Sequence, residues 1–412
     1  MLPRYNLTRN LYLIHHKIHQ TSSYLHTTAF VGFEKSTMIV LEDADLADNL
    51  SLLATLPKAE LHLHLEGTIT PATLVVLSER HDTDPITLAQ AEALYEYKDF
   101  LHFLQVWDIV CRRIQTPADY ALIVHNMFES LAQQGVKHAE VFIAVGGMIA
   151  ERPDLVVEDV FAAIEAARVR DEEKYGISVL WIIDASRQRG LGHVSKVFGI
   201  ASELRQKYPA VVGVGIGGDE VGGPCGVLKD AYEEARQNGL RLTAHCGEAT
   251  GPVNGPWEIW DALEMGVERL GHAFCAQYDE NLLDELQKRG TVLELNVTSN
   301  VKTGVCRSVE EHPIKEYVRR GLTCTVNSDD PAMFGSNVLQ EYVLLQERLG
   351  LPVEDLVTLA ATSFRSSFLD PERKAYFVEM VEAWSRSLGS SNRLNNGQWS
   401  SMMGTVEAVA RS

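Results

Sequence analysis

The chain has 412 residues, 45% of them hydrophobic and 23% charged, ordinary globular values that exclude disorder throughout. Its 37 Lys and Arg stand against 56 Asp and Glu, a net charge of −19, and that field repels phosphate backbones and argues against nucleic-acid polymers as partners. No apolar run approaches the roughly 20 residues that would span a bilayer, and six scattered cysteines without a C-x-x-C pair read as reduced thiols of an intracellular protein.

Residues 1–33 carry Arg4, Arg9 and Lys17 but no Asp or Glu, the composition of an organelle transit peptide. Met38 stands just before the first segment of normal acidic content, so residues 1–37 equally suit an upstream extension of a cytoplasmic protein. We take the cytoplasmic reading, with organelle targeting as the alternative. Residues 1–50 are expected to form a poorly ordered leader and 51–384 the folded unit. Residues 385–412, rich in Ser and Asn (Ser390, Ser391, Asn392, Asn395, Asn396), are expected to be a flexible tail.

Eight short β-branched runs follow in chain order, at 58–65, 136–145, 177–184, 211–216, 240–245, 268–272, 291–296 and 322–328. From the fourth onward each precedes a 3.6-residue pattern, such as Leu228, Ala231, Tyr232 and Ala235 before Gly239. Eight alternating strands and helices predict a closed (β/α)8 TIM barrel. The competing open sheet usually carries a Gly-rich phosphate turn after its first strand, and Glu66-Gly67-Thr68 is not one. Gly213, Gly215, Gly217 and Gly218 bunch at the fourth strand, but without a helix start and acidic partner they are weak evidence for a dinucleotide. Between the first two strands, residues 67–135 are too long for a simple crossover and carry helical patterns (Phe100, Phe103, Leu104, Trp107). They predict a helical cap over the C-terminal mouth, where water could be excluded from a pocket.

The chemistry-bearing residues sit at strand ends. His62 and His64 flank Leu63, and the period of two points both imidazoles to one face. Taken alone, a His-x-His pair is a poor metal signal. His245 ends the fifth strand, with Glu248 three residues on; His272 ends the sixth, and Asp329-Asp330-Pro331 follows the eighth. A lone strand-end His is usually a satisfied imidazole, and Asp-Asp-Pro alone reads as a helix cap. A barrel, however, draws these ends to one level, where three neutral imidazoles and a carboxylate suit Zn²⁺ with room for an activated water. His272, Asp330 and Glu248 are left as spare groups: a His that charges near pH 7 suits a base, and a carboxyl kept protonated in a dry pocket suits an acid.

These residues resemble the adenosine deaminase family of the amidohydrolase superfamily over roughly residues 56–369. The motifs run in family order: His62-Leu63-His64-Leu65-Glu66-Gly67-Thr68, Gly218-Asp219-Glu220, His245-Cys246-Gly247-Glu248, Gly271-His272, Ser299-Asn300 and Ser328-Asp329-Asp330-Pro331. The resemblance implies one zinc per chain on His62, His64, His245 and Asp329, with Glu248 donating a proton to purine N1. It implies that His272 orients or deprotonates the water, that Asp330 bonds the N7 side and holds the hydroxide, and that the Gly218 backbone meets the ring near N3. His64 and Glu66 would also border the substrate. The implied activity is deamination of adenosine or deoxyadenosine to inosine or deoxyinosine plus ammonia; aminodeoxyfutalosine and free adenine are the alternative substrates. Glu66 stands where adenosine-specific members usually have Asp, which loosens the implied ribose contact. Cys246 replaces the usual Ala, Ala273 the usual Gly, and Leu295-Asn296-Val297 a common Cys-Pro pair. The run Trp181-Ile182-Ile183-Asp184-Ala185-Ser186-Arg187-Gln188 is similar to a bacterial branch associated with aminodeoxyfutalosine.

Rival chemistries fit less well. Binuclear relatives usually need a lysine on strand four, and none is present; the cytidine-deaminase signature is missing, since Pro224-Cys225-Gly226 lacks its second cysteine. A binding protein that kept the barrel and lost turnover would normally have lost one of these ionisable groups.

Overall fold

The computed structural model describes residues 44–152 and 154–391. Eight parallel strands pair in chain order: β1 (Lys58–His64), β2 (Val136–Ile143), β3 (Ser178–Ser186), β4 (Val211–Gly217), β5 (Arg241–Cys246), β6 (Arg269–His272), β7 (Val292–Leu295) and β8 (Thr323–Val326). The seam between β8 and β1 is joined just past the end of β8: His64 N–H donates to Asp329 O at 2.9 Å and Asp329 N–H to His62 O at 3.1 Å. Helices follow the strands, among them Leu191–Lys207 after β3, Gly251–Glu264 after β5 and Glu280–Arg289 after β6. The chain is thus a (β/α)8 TIM barrel.

Strand alternation divides the core in two. Outward residues such as Leu61, Leu63, Val141 and Leu293 join the large apolar layer between sheet and helices, each fully buried leucine contributing about 1.5–3 kcal/mol. Inward residues form a small plug of Phe142, Ile182 and Val212 with Phe368. The glycines at the fourth strand belong to this interior. Gly213, Gly215 and Gly217 lie within β4, and a Cβ at Gly215 would come 2.7 Å from Phe142 Cε1 and 2.9 Å from Thr243 Oγ1. They make room inside the barrel and do not form a phosphate turn; only Gly218, with φ +101°, lies past the strand.

Between β1 and β2 come the helices Pro71–His81, Leu88–Leu94, Phe100–Cys111 and Pro117–Ala132. The last of them packs along Val157–Tyr175, so it belongs to the outer ring, whereas Phe100–Cys111 turns side chains to the mouth. Of the expected leader, residues 1–43 lie outside the described residues; a helix, Ala44–Thr55, covers the rest. The final helix, Pro371–Ser391, runs past Ser385, where a flexible tail was expected to begin, and residues 392–412 lie outside the described residues. Helical order there is consistent with the absence of Gly or Pro before Gly389 in that helix after Pro371. All six cysteines are free thiols, and no helix among the described residues is long and apolar enough to cross a membrane.

Candidate active site

The β1 pleat sends His62 and His64 inward, the end of β5 supplies His245, and the residue that closes the seam, Asp329, supplies a carboxylate. One ligand atom from each lies within 4.8 Å of all the others. His64 Nε2 and His245 Nε2 are 3.0 Å apart, and Asp329 Oδ1 lies 3.4 Å from His62 Nε2 and 3.3 Å from His64 Nε2. The outer nitrogens orient two of the rings. His245 Nδ1 donates to Ile216 O at 2.8 Å and His62 Nδ1 to Glu294 Oε2 at 2.8 Å, so the Nε2 lone pairs face the centre.

His62 Nε2 is buried without a hydrogen-bond partner, a costly state unless something else occupies that lone pair. Burial disfavours charge on His62, yet the carboxylates of Asp329 and Glu294 outweigh it and push its pKa up to about 10; the environment calls for a cation at that nitrogen. Burial lowers His64 to about 4 and holds His245 well below the usual imidazole range, leaving both unprotonated at neutral pH. Burial opposes charge on Asp329 too, but His62 and His272 beside it keep its carboxyl well below the usual range. Imidazole nitrogens, an ionised carboxylate and an unpartnered buried donor atom fit a zinc ion.

The remaining groups stand around this cluster. Glu248 is buried, its Oε1 3.5 Å from His272 Nδ1, and burial together with Asp329 and Glu220 raises its pKa well above the ordinary value. Its loop is pinned by Glu220, whose Oε2 accepts from the backbone N–H of Glu248 at 2.9 Å and Ala249 at 2.8 Å. Buried Arg187 holds the adjoining elements, donating to His245 O at 2.7 Å and to Glu258 Oε2 at 2.6 Å. Asp330 is pushed well up by burial and by Asp329, and its Oδ1 has no partner. A Cβ on Gly67 would lie 2.1 Å from that oxygen, so the glycine after Glu66 is what lets Asp330 approach. His272, Ala273 and Asp329 have left-handed φ of 63°, 46° and 65°, each costing about 1–2 kcal/mol; such strain collects where side chains must be aimed.

These residues share a cavity of about 230 Å³. Its wall is formed by His64, His245, Glu248, His272, Asp329 and Asp330, by Gly217 and Gly218, and by Phe100, Phe103, Leu104 and Trp107, together with Arg189 and Glu151, which form an ion pair. His62 lies behind this wall. Glu66 is set apart: it lines a smaller side chamber shared with Trp107, Cys111 and Ala144. Glu66 Oε1 accepts from Ala144 N–H at 3.1 Å, Oε2 has no partner, and burial lifts its pKa to about 7.

Sequence reasoning missed several residues. Asp184 lies two residues before the end of β3, at the close of the strand expected from sequence, and lines the main cavity with an unpartnered Oδ1; burial and then Glu66 raise its pKa to about 8. The strand-end rule that found His245 would have found it. Glu294 acts through other side chains and left no comparable signal; Ser299, which stood in the Ser299-Asn300 motif without a role, donates to Asp329 Oδ2 at 2.6 Å.

Known proteins match this arrangement. The family model described as adenosine deaminase matches residues 57–384. The aminodeoxyfutalosine deaminase of Streptomyces avermitilis is 35% identical over 340 residues, 81% of this chain and 92% of that protein. Among solved structures, the adenine deaminase of Arthrobacter aurescens superposes with a TM-score of 0.75 at 30% identity, covering 80% of this chain and 99% of that one. An amidohydrolase from Burkholderia ambifaria with bound zinc gives a TM-score of 0.75 at 25% identity over 83% of this chain and 94% of its own. The chain belongs to the adenosine deaminase family and is a metal-binding hydrolytic deaminase of adenine-type substrates.

Proposed function

We propose that the protein is a one-zinc deaminase that converts the 6-amino group of an adenine nucleoside into a carbonyl with release of ammonia. Adenosine is the simplest such substrate, and a nucleoside extended beyond its sugar, of the aminodeoxyfutalosine kind, suits the cavity best. The observation that carries this reading is the lining of the cavity, which takes in Phe100, Phe103, Trp107, Gly218 and the partly exposed Arg189 besides the groups of the metal cluster, more than a free base alone would meet. Glu151 and Asp108 stand around the cavity, and the single Arg189 is already ion-paired to Glu151, a balance that disfavours a phosphorylated substrate.

His62, His64, His245 and Asp329 would hold the zinc, which would supply the Lewis acidity that activates water near neutral pH. Glu248, kept protonated by its dry surroundings, donates to purine N1 and leaves C6 electron-poor. Asp330 takes the N7 side and holds the attacking oxygen, the Gly218 backbone meets the ring near N3, and His64 borders the substrate. Asp184 reads the glycosyl side, and Glu66, in the adjoining chamber, acts on that side through its field on Asp184. Water is consumed at C6 and ammonia leaves. Trp107 and its aromatic neighbours keep other water from the reacting face.

Steady-state comparison of adenine, adenosine, deoxyadenosine and aminodeoxyfutalosine tests the substrate. The expected order of kcat/KM places aminodeoxyfutalosine first and adenine last. A preference for free adenine would favour the second reading, which the 30% identity to the Arthrobacter adenine deaminase supports.

A further inference from the structure

A chain of buried hydrogen bonds enters the site from the side away from the zinc ligands. It begins at a backbone group whose direction is fixed. Ile314 N–H lies 3.2 Å from His312 Nδ1, and a backbone amide can only donate, so Nδ1 of His312 accepts. His312 is 3% exposed, and burial lowers its pKa to about 3, so the ring is neutral and its one proton sits on Nε2. That proton points at Asn300 Oδ1, 3.1 Å away. With its oxygen committed, Asn300 turns its Nδ2 toward His272 Nδ1 at 3.0 Å. An amide NH₂ only donates, so His272 Nδ1 accepts as well, and the proton of the neutral His272 ring is left on Nε2, facing Asp329 Oδ2 at 3.7 Å.

Two neighbours could disturb this order and do not. Glu248 Oε1 is 3.5 Å from the same Nδ1, but a protonated Glu248 is compatible with an accepting nitrogen. Asn296 Nδ2 lies 3.3 Å from each ring nitrogen of His272 and, as a donor, is satisfied by the same accepting Nδ1. Asn300 and His312 are otherwise unemployed by the chemistry, yet both are buried polar side chains, which is expensive unless every group is satisfied.

We propose that His312 and Asn300 are positioning residues that lock His272 as the Nε2–H tautomer, so that His272 presents a donor to the attacking oxygen and does not take its proton, which passes instead to Asp330, whose unpartnered Oδ1 lies in the same cavity. This decides between the two roles that the family resemblance left open for His272, and it rests on the deaminase reading above. Neither residue touches substrate. Their effect passes entirely through which nitrogen of His272 carries hydrogen, as outer partners of metal-site histidines commonly do.

Two-bond ¹⁵N–¹H spectra of the zinc-loaded protein labelled at its 14 histidines read the tautomers directly, with assignments made on the wild-type chain. His272 and His312 are both expected as Nε2–H forms; His272 as the Nδ1–H form would overturn the proposal, whatever the enzyme turns over. If instead the tautomers agree and no purine is deaminated, the functional reading fails and the relay stands. The kinetic arm uses Asn300→Asp, which offers His272 only an acceptor and should draw its proton to Nδ1. We expect kcat to fall about 10–100-fold, the usual cost of losing such a partner, with KM and bound zinc nearly unchanged. Wild-type kcat in zinc-loaded Asn300→Asp would overturn the proposal. His312→Gln, whose amide can still donate to Asn300, should retain clearly more kcat than His312→Leu; equal losses in the two would show a merely structural role. Should a variant fail to fold, the wild-type spectrum decides.

Discussion

The barrel interior holds two layers of buried ionisable groups that have opposite fates. In the layer nearer the N-terminal strand ends, Arg269 lies between Glu140 and Glu294, 2.7 Å from Glu294 Oε1, with its guanidinium 3.8 Å above the Phe368 ring. His138 Nε2 is 3.2 Å from Glu140 Oε1. Charge there is matched by charge, and the Arg269 field outweighs burial to lower Glu140 to about 2. One layer up, His62 Nε2, Asp184 Oδ1 and Asp330 Oδ1 have no partners, and Glu248 and Asp330 are held above the ordinary carboxyl range. The lower layer pairs opposite charges, even though Arg269 Nη2 has no hydrogen-bond partner, and serves stability; the upper leaves acidic and imidazole groups without a counter-charge, to be completed by a metal and a substrate.

That contrast can be broken deliberately. Glu248→Gln should lower kcat/KM by about 10²–10⁴-fold while leaving bound zinc and the unfolding midpoint unchanged, because it removes only a proton donor; zinc loss in this variant, read by elemental analysis, would refute the assignment. Arg269→Met should do the reverse. It strands Glu140 and Glu294 and should cost about 3–5 kcal/mol in urea unfolding. Glu294→Gln tests the link between the layers, since Glu294 meets both Arg269 and His62; competition with a chelator should show zinc held about 10–100-fold more weakly. The smallest effect belongs to Ala273→Gly. Its φ of 46° is one a glycine adopts freely, and the variant should gain up to about 1 kcal/mol in urea unfolding, with no change in bound zinc.

The sequence made the barrel legible because β-branched runs alternate with helical periods, and the structure moves their ends by only a few residues. His62, His64, His245, His272 and the Asp329-Asp330 pair were legible because strand ends in a barrel share one level. The two layers were not separable on that basis: Glu60, His62 and His64 alternate along one strand, and nothing in the order of residues says that Glu60 is satisfied by Ser328 N–H at 2.8 Å while His62 Nε2 is not. What the glycines of β4 do was not legible for a related reason, since Gly215 clears space for Phe142 and Thr243, side chains from other strands. Likewise, Asn300 and His312, 12 residues apart in the chain, act through a ring 28 residues before Asn300 and reach it only after folding.

The most direct test of the central claim is zinc content and ammonia release measured on the same preparation of wild-type protein, before and after chelation. The account predicts one zinc per chain, ammonia released from an adenine nucleoside, and loss of both on chelation with recovery on adding zinc. A metal-free protein that deaminates at full rate, or a zinc-loaded protein inert toward adenine, adenosine and aminodeoxyfutalosine alike, would contradict it.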